Sequence, residues 1–340
     1  MLIPILLFAV GLVMLIKGGD WFVDGATGIA RRFKLPEILI GATVVSIGTT
    51  LPEVMVSAGA ALGGSGEIAY GNAIGSIICN TSLIAAITIA IKPCKVERKT
   101  LVLPAIFFAI AAAFYVGISY FTGYFDRWVG IALLSLFVVY MTVTVVNMLR
   151  SPKEEHDEGE TVAETHEKLS FGMELWAQVS GKKTSVIREV ILLVIGAAVI
   201  AFGADFLVDN GIIIAEKLGV PQTVIALTFV ALGTSLPELV TAITSLAKGH
   251  GALSLGNIIG ANLFNLVLVS GVSITISPFT VPASSMLFGQ NASLVLDIPV
   301  MLGVMAIMLI PTFIRGKLSK VQGIALLCVY AAFCTIQFIM

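Results

Sequence analysis

Ten apolar runs, most of them close to 20 residues long, constrain the fold of this chain more than any other feature. Such a run suits a helix that crosses a bilayer, whereas membrane β-strands alternate apolar and polar residues over about 10 positions. Apolar residues make up 57% of the chain and charged residues 12%, against about 25% charged in soluble domains. The pattern predicts an all-α membrane protein embedded in a lipid bilayer and excludes soluble enzymes and disordered chains.

Charge and cysteine content exclude further classes. The 20 basic and 21 acidic residues leave a net charge of −1, so nothing attracts nucleic acid. The four cysteines lack metal-site spacing and are interpreted as apolar filler. We expect no cofactor and see no signal for an obligate protein partner.

A long polar stretch with the acidic segment SPKEEHDEGE divides the predicted helices into five plus five. The chain is therefore expected to consist of a first five-helix unit (1–149), an acidic linker (150–187) and a second five-helix unit (188–340). The first run is interpreted as a membrane helix, not a signal peptide, because no basic residue precedes Lys17. The predicted spans are 2–26, 36–62, 68–91, 101–119, 128–149, 188–209, 221–247, 253–276, 292–313 and 321–338.

The distribution of Lys and Arg predicts the orientation. If both termini face outside, 17 of the 20 basic residues fall in or beside inner loops. Only Arg127 and Lys217 face outward, and Lys17 can snorkel. The positive-inside rule therefore predicts external termini and a cytoplasmic linker in a plasma (inner) membrane protein.

The two units contain an internal repeat. Residues 18–80 align with 203–265 at a constant offset of 185, with 22 identities in 63 positions and no gap. The matches include GTTLPE with GTSLPE and GNAIGSIICN with GNIIGANLFN. Because five helices is an odd number, the second copy must enter the bilayer from the opposite side. The sequence thus predicts an inverted-topology repeat, a common architecture of secondary transporters.

Two carboxylates lie in the middle of predicted spans. Glu53 and Glu238 occupy equivalent positions of the second and seventh helices. A charge at mid-bilayer costs a few kcal/mol even on insertion scales, so it usually faces a cavity and a partner. No basic residue lies at comparable depth in the second, third, seventh or eighth helices. We therefore expect a cation to supply the missing countercharge.

Oxygen donors surround both carboxylates in the pattern. Pro52 and Pro237 lack an N–H, which leaves the carbonyls of Gly48 and Gly233 without helical partners and predicts unwinding there. Hydroxyl and amide side chains recur at the spacing of one helix face. They are Ser46, Thr49 and Thr50, then Asn72, Ser76 and Asn80, then Thr234 and Ser235, and finally Asn257 and Asn265.

Carboxylate, hydroxyl, amide and carbonyl oxygens favour hard cations such as Ca²⁺ and Na⁺ over Zn²⁺ or Cu⁺. Two carboxylates balance one Ca²⁺ or two Na⁺. This equality of charge is the physical basis for exchange at a shared site.

The paired motifs GTTLPE with GNAIGSIICN (within 41–80) and GTSLPE with GNIIGANLFN (within 226–265) resemble the two α-repeats of the cation/calcium antiporter superfamily, closest to its prokaryotic sodium/calcium exchanger branch. The resemblance covers nearly the whole chain. It implies ten helices in inverted repeats, alternating access, and Na⁺ and Ca²⁺ as substrates. The ligands it implies are Ser46, Thr49, Thr50, Glu53, Ser76, Asn80, Ala231, Thr234, Ser235, Glu238 and Asn265, with Ser46 and Ala231 acting through their backbone carbonyls.

The chain departs from this branch at two positions. Ala261 stands where archaeal members have Ser, and Asn265 stands where they have Asp. Both changes bear on sodium, because each removes a potential oxygen ligand or charge.

Three other functions were compared with sodium/calcium exchange. A proton/calcium or other cation/proton antiporter would use Glu53 and Glu238 as proton carriers. An intramembrane protease would need a Ser–His or Ser–Lys pair, HExxH or paired Asp at depth, and none is present. A channel would conduct one ion without dependence on a counter-ion.

Overall fold

The computed structural model describes residues 2–93, 96, 98–150, 186–218, 233–283 and 286–339. Four two-residue strands pair at one end: β1 (Tyr124–Phe125) with β2 (Phe279–Thr280), and β3 (Met286–Leu287) with β4 (Gln290–Asn291). The helices are α1 (Leu2–Phe33), α2 (Glu37–Leu62), α3 (Gly66–Ile91), α4 (Arg98–Phe121), α5 (Arg127–Arg150), α6 (Val186–Lys217), α7 (Leu236–Ala247), α8 (Gly251–Ile276), α9 (Ser293–Arg315) and α10 (Lys320–Ile339).

The described helices confirm an all-α membrane protein. Nine of them are long and apolar enough to span a bilayer, and α7 is a shorter apolar helix. The first part of the predicted span 221–247 lies outside the described residues. The predicted ends of two spans are wrong, since α1 continues to Phe33 and α6 to Lys217. Both helices extend beyond their apolar runs because the additional turns still pack, as the burial of Ala30 and Ala215 shows.

Helices α1 and α6 pack antiparallel along their whole length. A Cβ added to Gly11 would lie 2.8 Å from Gly203 O, and one added to Gly196 would lie 2.9 Å from Gly18 O. Only glycine permits this backbone approach. Each helix has 32 residues, about 48 Å at 1.5 Å per residue, which exceeds the hydrocarbon thickness of about 30 Å.

These two contacts are equivalent under the sequence repeat. The offset of 185 relates Gly11 to Gly196 and Gly18 to Gly203, so the pair Gly11–Gly203 maps onto the pair Gly196–Gly18. The equivalent helices of the two units therefore meet through equivalent glycines while running in opposite directions.

Helices α2 and α8 run side by side in the same direction at the centre of the molecule. A Cβ on Gly41 would collide with Leu253 O, and one on Gly260 would collide with Ser46 Oγ. Around this pair the main apolar core includes Tyr140 of α5, whose ring meets Phe264 of α8 edge to face at a centroid distance of 6.0 Å. The close approach brings the polar faces of α2 and α8 into contact.

Ion pairs connect the turn between α7 and α8 to helices α1 and α2. Lys248, in the turn between α7 and α8, contacts Asp24 Oδ1 at 2.7 Å and Asp20 Oδ1 at 3.4 Å on α1. In the same turn, His250 Nδ1 lies 2.8 Å from Glu37 Oε1 at the start of α2. The acidic residues Asp20 and Asp24 of α1 thus bind a lysine from the second half of the chain.

Candidate ion-binding site

Glu53 lies inside α2 and is completely buried. The predicted unwinding at Pro52 is wrong, because Ser46–Leu62 is one continuous helix with Pro52 in its interior. The irregularity lies one turn earlier, where Gly41–Val45 form a π-helical turn. The proline removes one backbone N–H from the helix, and the turns on either side of it keep their helical form.

Glu238 lies in the first turn of α7 and is also completely buried. Here the interruption predicted from Pro237 is confirmed, since α7 begins at Leu236 and Ser235 before it has a non-helical backbone (φ −92°, ψ 7°). Glu238 therefore sits where the free N–H groups of a helix start concentrate positive potential, which favours a negative charge.

The two carboxylates are electrostatic neighbours across the interface between the units. None of their four oxygens has a hydrogen-bond partner among the described residues. Thr49 and Thr50 of α2 lie beside the Glu238 carboxylate. Two buried like charges without a countercharge repel each other and lose their hydration, so this arrangement favours binding of a cation between them.

Equivalent hydrogen bonds flank the carboxylates on both sides. Thr49 Oγ1 donates to Asn257 Oδ1 at 3.2 Å, and Thr234 Oγ1 donates to Asn72 Oδ1 at 3.1 Å. The offset of 185 converts one pair into the other. The repeat is thus visible in the polar contacts of the site as well as in the sequence.

Asn80 and Asn265 each mark the beginning of a π-helical turn, Asn80–Ala85 in α3 and Asn265–Val269 in α8. Both side chains are completely buried, and neither their oxygen nor their nitrogen has a partner in the described part of the chain. Single π turns are frequent at functional sites because they displace one residue from the regular helix. Here they occur at the two amides that the repeat makes equivalent.

The structure gathers most of the remaining predicted residues at the same place. Ser46 Oγ lies 2.7 Å from Gly41 O and 2.9 Å from Asn257 O, so its one proton has an acceptor on α2 and another on α8. Ser235 Oγ and Ser76 Oγ lie 3.5 Å apart. Thr50 is buried with its hydroxyl unpartnered, Thr234 is half-buried, and Ala231 lies outside the described residues.

Residues 3–146 and 188–339 match the family model described as "Sodium/calcium exchanger protein". The chain belongs to this family. The match covers both groups of five described helices and leaves out residues 147–187.

Relatives and solved structures agree with this assignment. Sodium/calcium exchanger MaX1 of Methanosarcina acetivorans is 29% identical over 98% of each chain. Inner membrane protein YrbG of Escherichia coli is 34% identical over 82% of this chain and 81% of its own length. A solved structure of the sodium-calcium exchanger NCX_Mj, soaked with zero Na⁺ and Ca²⁺, has a TM-score of 0.75 at 30% identity and 98% coverage of each chain.

Two polar residues of the candidate site were not among the predicted ligands. Asn257 Oδ1 accepts the hydroxyl proton of Thr49 and lies 3.3 Å from Ser46 Oγ. Asn72 Nδ2 donates to Glu53 O at 3.2 Å and to Ser57 Oγ at 2.8 Å. The sequence contained a signal for both, since they open the i, i+4, i+8 rows that end at Asn265 and Asn80. Their contacts show that they hold the hydroxyl donors in place.

Proposed function

We propose that this protein is a secondary antiporter that exchanges Na⁺ for Ca²⁺ at a single central site. The observation that carries the proposal is the pair Glu53 and Glu238, completely buried, adjacent, and without a cationic partner among the described residues. Membership of the sodium/calcium exchanger family supports the choice of ions.

The proposed ligand set consists of oxygens that the structure brings close to the two carboxylates or leaves unpartnered beside them. Hard cations with flexible coordination, such as Ca²⁺ with its 6–8 oxygens, suit such a set. The ligands are the carboxylates of Glu53 and Glu238, the side-chain oxygens of Thr49, Thr50, Ser76, Asn80, Thr234, Ser235 and Asn265, and the carbonyls of Ser46 and Ala231.

Charge balance explains why the two ions exclude each other. The carboxylates carry −2, which one Ca²⁺ or two Na⁺ neutralise. If one Ca²⁺ and two Na⁺ bound together, the site would carry excess positive charge. Such a charge is costly in a site with little water. Each ion therefore displaces the other. The loaded site is close to neutral, which allows it to switch its access from one side of the membrane to the other.

We further propose that the two units, 1–149 and 188–340, are inverted repeats that alternate access to the site. Support comes from the antiparallel α1–α6 pair and from the Thr49–Asn257 and Thr234–Asn72 bonds, all related by one offset. We also propose that the protein lies in the plasma (inner) membrane with both termini outside and the linker in the cytoplasm. The distribution of basic residues supports this orientation.

The test is ⁴⁵Ca²⁺ uptake into proteoliposomes loaded with Na⁺ and diluted into Na⁺-free medium. We expect uptake that disappears when the Na⁺ gradient is removed. Glu53→Gln is expected to abolish uptake, and Glu67→Gln, which neutralises an exposed carboxylate at the start of α3, provides the control. Uptake that proceeds equally without a Na⁺ gradient would overturn the proposal.

A proton/calcium antiporter is the second candidate. Two adjacent buried carboxylates without a countercharge favour a shared proton, and Ala261 offers no hydroxyl for sodium. Proteoliposomes prepared without Na⁺ distinguish the two cases, because ⁴⁵Ca²⁺ uptake driven by a pH gradient in them would identify proton coupling.

A further inference from the structure

A second buried polar cluster joins three helices beside the proposed ion site. Asn262 Nδ2 of α8 donates to Thr81 Oγ1 of α3 at 2.7 Å and to Met305 Sδ of α9 at 3.3 Å. Thr81 Oγ1 also lies 3.4 Å from Met305 Sδ. Asn262 and Thr81 are fully buried and Met305 is 2% exposed. The cluster is therefore shielded from water. In such an interior, hydrogen bonds are strong and unpaired polar groups are costly.

The cluster is adjacent to a proposed ligand in the chain. Thr81 directly follows Asn80, and the π turn Asn80–Ala85 begins at that residue. A π turn interrupts the regular hydrogen-bond register of the helix. The position of the Asn80 carboxamide consequently depends on contacts from outside α3, and the Asn262–Thr81 bond is such a contact.

The cluster has no counterpart in the other half. The offset of 185 relates Asn262 to Ile77 and Thr81 to Leu266, which are both apolar and completely buried. The π turn at Asn265 therefore lacks the polar contact that the π turn at Asn80 has. This difference exists although Asn80 and Asn265 are themselves equivalent.

We propose that Asn262 and Thr81 are positioning residues for ion binding. Their hydrogen bond holds the π turn of α3 against α8 and thereby keeps the Asn80 carboxamide directed at the bound cation. The inference rests on the proposed function, since it assigns Asn80 as a ligand. Pre-organisation of this kind raises affinity because the ligand is already ordered before the ion arrives.

The test compares two substitutions of one residue. Thr81→Val keeps the shape of the side chain and removes the hydroxyl, whereas Thr81→Ser keeps the hydroxyl. The readouts are the Ca²⁺ Kd of the purified protein by calorimetry and the KM and maximal rate of Na⁺-driven ⁴⁵Ca²⁺ uptake. We expect Thr81→Val to raise Kd and KM about fivefold, as loss of one hydrogen bond implies, with the maximal rate retained and Thr81→Ser within about twofold of wild type.

Ser82→Ala is the matched control. It removes a buried hydroxyl from the same π turn, but the bond that Ser82 Oγ makes, to Ile78 O at 2.5 Å, stays within α3. A Kd unchanged in Thr81→Val, or raised equally in Ser82→Ala, would overturn the proposal. If Thr81→Val folds poorly, the double variant with Asn262→Leu replaces both partners by apolar groups and is expected to fold with the same raised Kd. Absence of Na⁺-driven uptake by the wild type would instead refute the proposed function.

Discussion

Thr49 Oγ1 donates a hydrogen bond to Asn257 Oδ1 across the two units, from α2 to α8. The bond at the equivalent positions, from Thr234 to Asn72, differs in length by only 0.1 Å (3.2 Å against 3.1 Å). Each unit thus supplies a donor to the other beside a buried glutamate. The candidate site therefore draws polar side chains from both halves of the chain.

Substitution of either asparagine should weaken ion binding. Asn257→Ala and Asn72→Ala each remove an acceptor and release a threonine hydroxyl beside the carboxylates, at a cost of about 1–3 kcal/mol. We expect a KM for Ca²⁺ raised by about tenfold in both variants. Asn210→Ala serves as the control, because Asn210 bonds to Phe206 O within α6. An unchanged KM in either variant would contradict the role assigned to that hydrogen bond.

The glutamates should determine calcium-dependent stability. Glu53→Gln and Glu238→Gln each preserve volume and remove one charge, so both are expected to abolish exchange. In the wild type, Ca²⁺ at 100 times its Kd should add about 2.7 kcal/mol to the free energy of unfolding, and this increment should disappear in both variants. Thermal melting with and without Ca²⁺ measures it. Without ions the variants should be at least as stable as wild type, because a buried unpaired charge has been removed.

Exchange should be electrogenic if more than two Na⁺ move per Ca²⁺. The carboxylates compensate only two positive charges, so a third Na⁺ would carry net charge across the membrane. One net charge moving through 100 mV corresponds to about 2.3 kcal/mol, enough to shift the end-point strongly toward Ca²⁺ export at an inside-negative potential. Clamping the potential with valinomycin and K⁺ tests this. An unchanged rate and end-point would show that transport is electroneutral.

Ala261 should weaken one sodium site. It is completely buried and equivalent by the offset of 185 to Ser76, whose hydroxyl faces Ser235. Ala261→Ser adds an oxygen ligand with little change in volume and is expected to raise apparent Na⁺ affinity severalfold while leaving Ca²⁺ affinity nearly constant. Ser76→Ala should lower Na⁺ affinity. The Na⁺ dependence of Ca²⁺ efflux provides the measurement, and an unchanged curve for Ala261→Ser would show that the position only packs.

Much of the fold and the candidate site could be predicted from the sequence because the bilayer restricts the possibilities. Unpaired backbone groups are excluded from hydrocarbon, so apolar runs of about 20 residues must be helices. Charge is also costly in hydrocarbon, so Glu53 and Glu238 could be predicted as candidate site residues. The offset of 185 then identified which oxygen donors of the two units occupy equivalent positions.

Tertiary packing decided what the pattern could not. Helix α2 stays continuous through Pro52, although the sequence pattern predicts unwinding there. The sequence pattern did not predict the π turns at Asn80 and Asn265. It also did not predict the bonds from Thr49 to Asn257 and from Asn262 to Thr81, whose partners lie 208 and 181 positions apart in the chain. Periodicity reports which face of a helix a residue occupies, whereas only the packed structure determines which atom on another helix it meets.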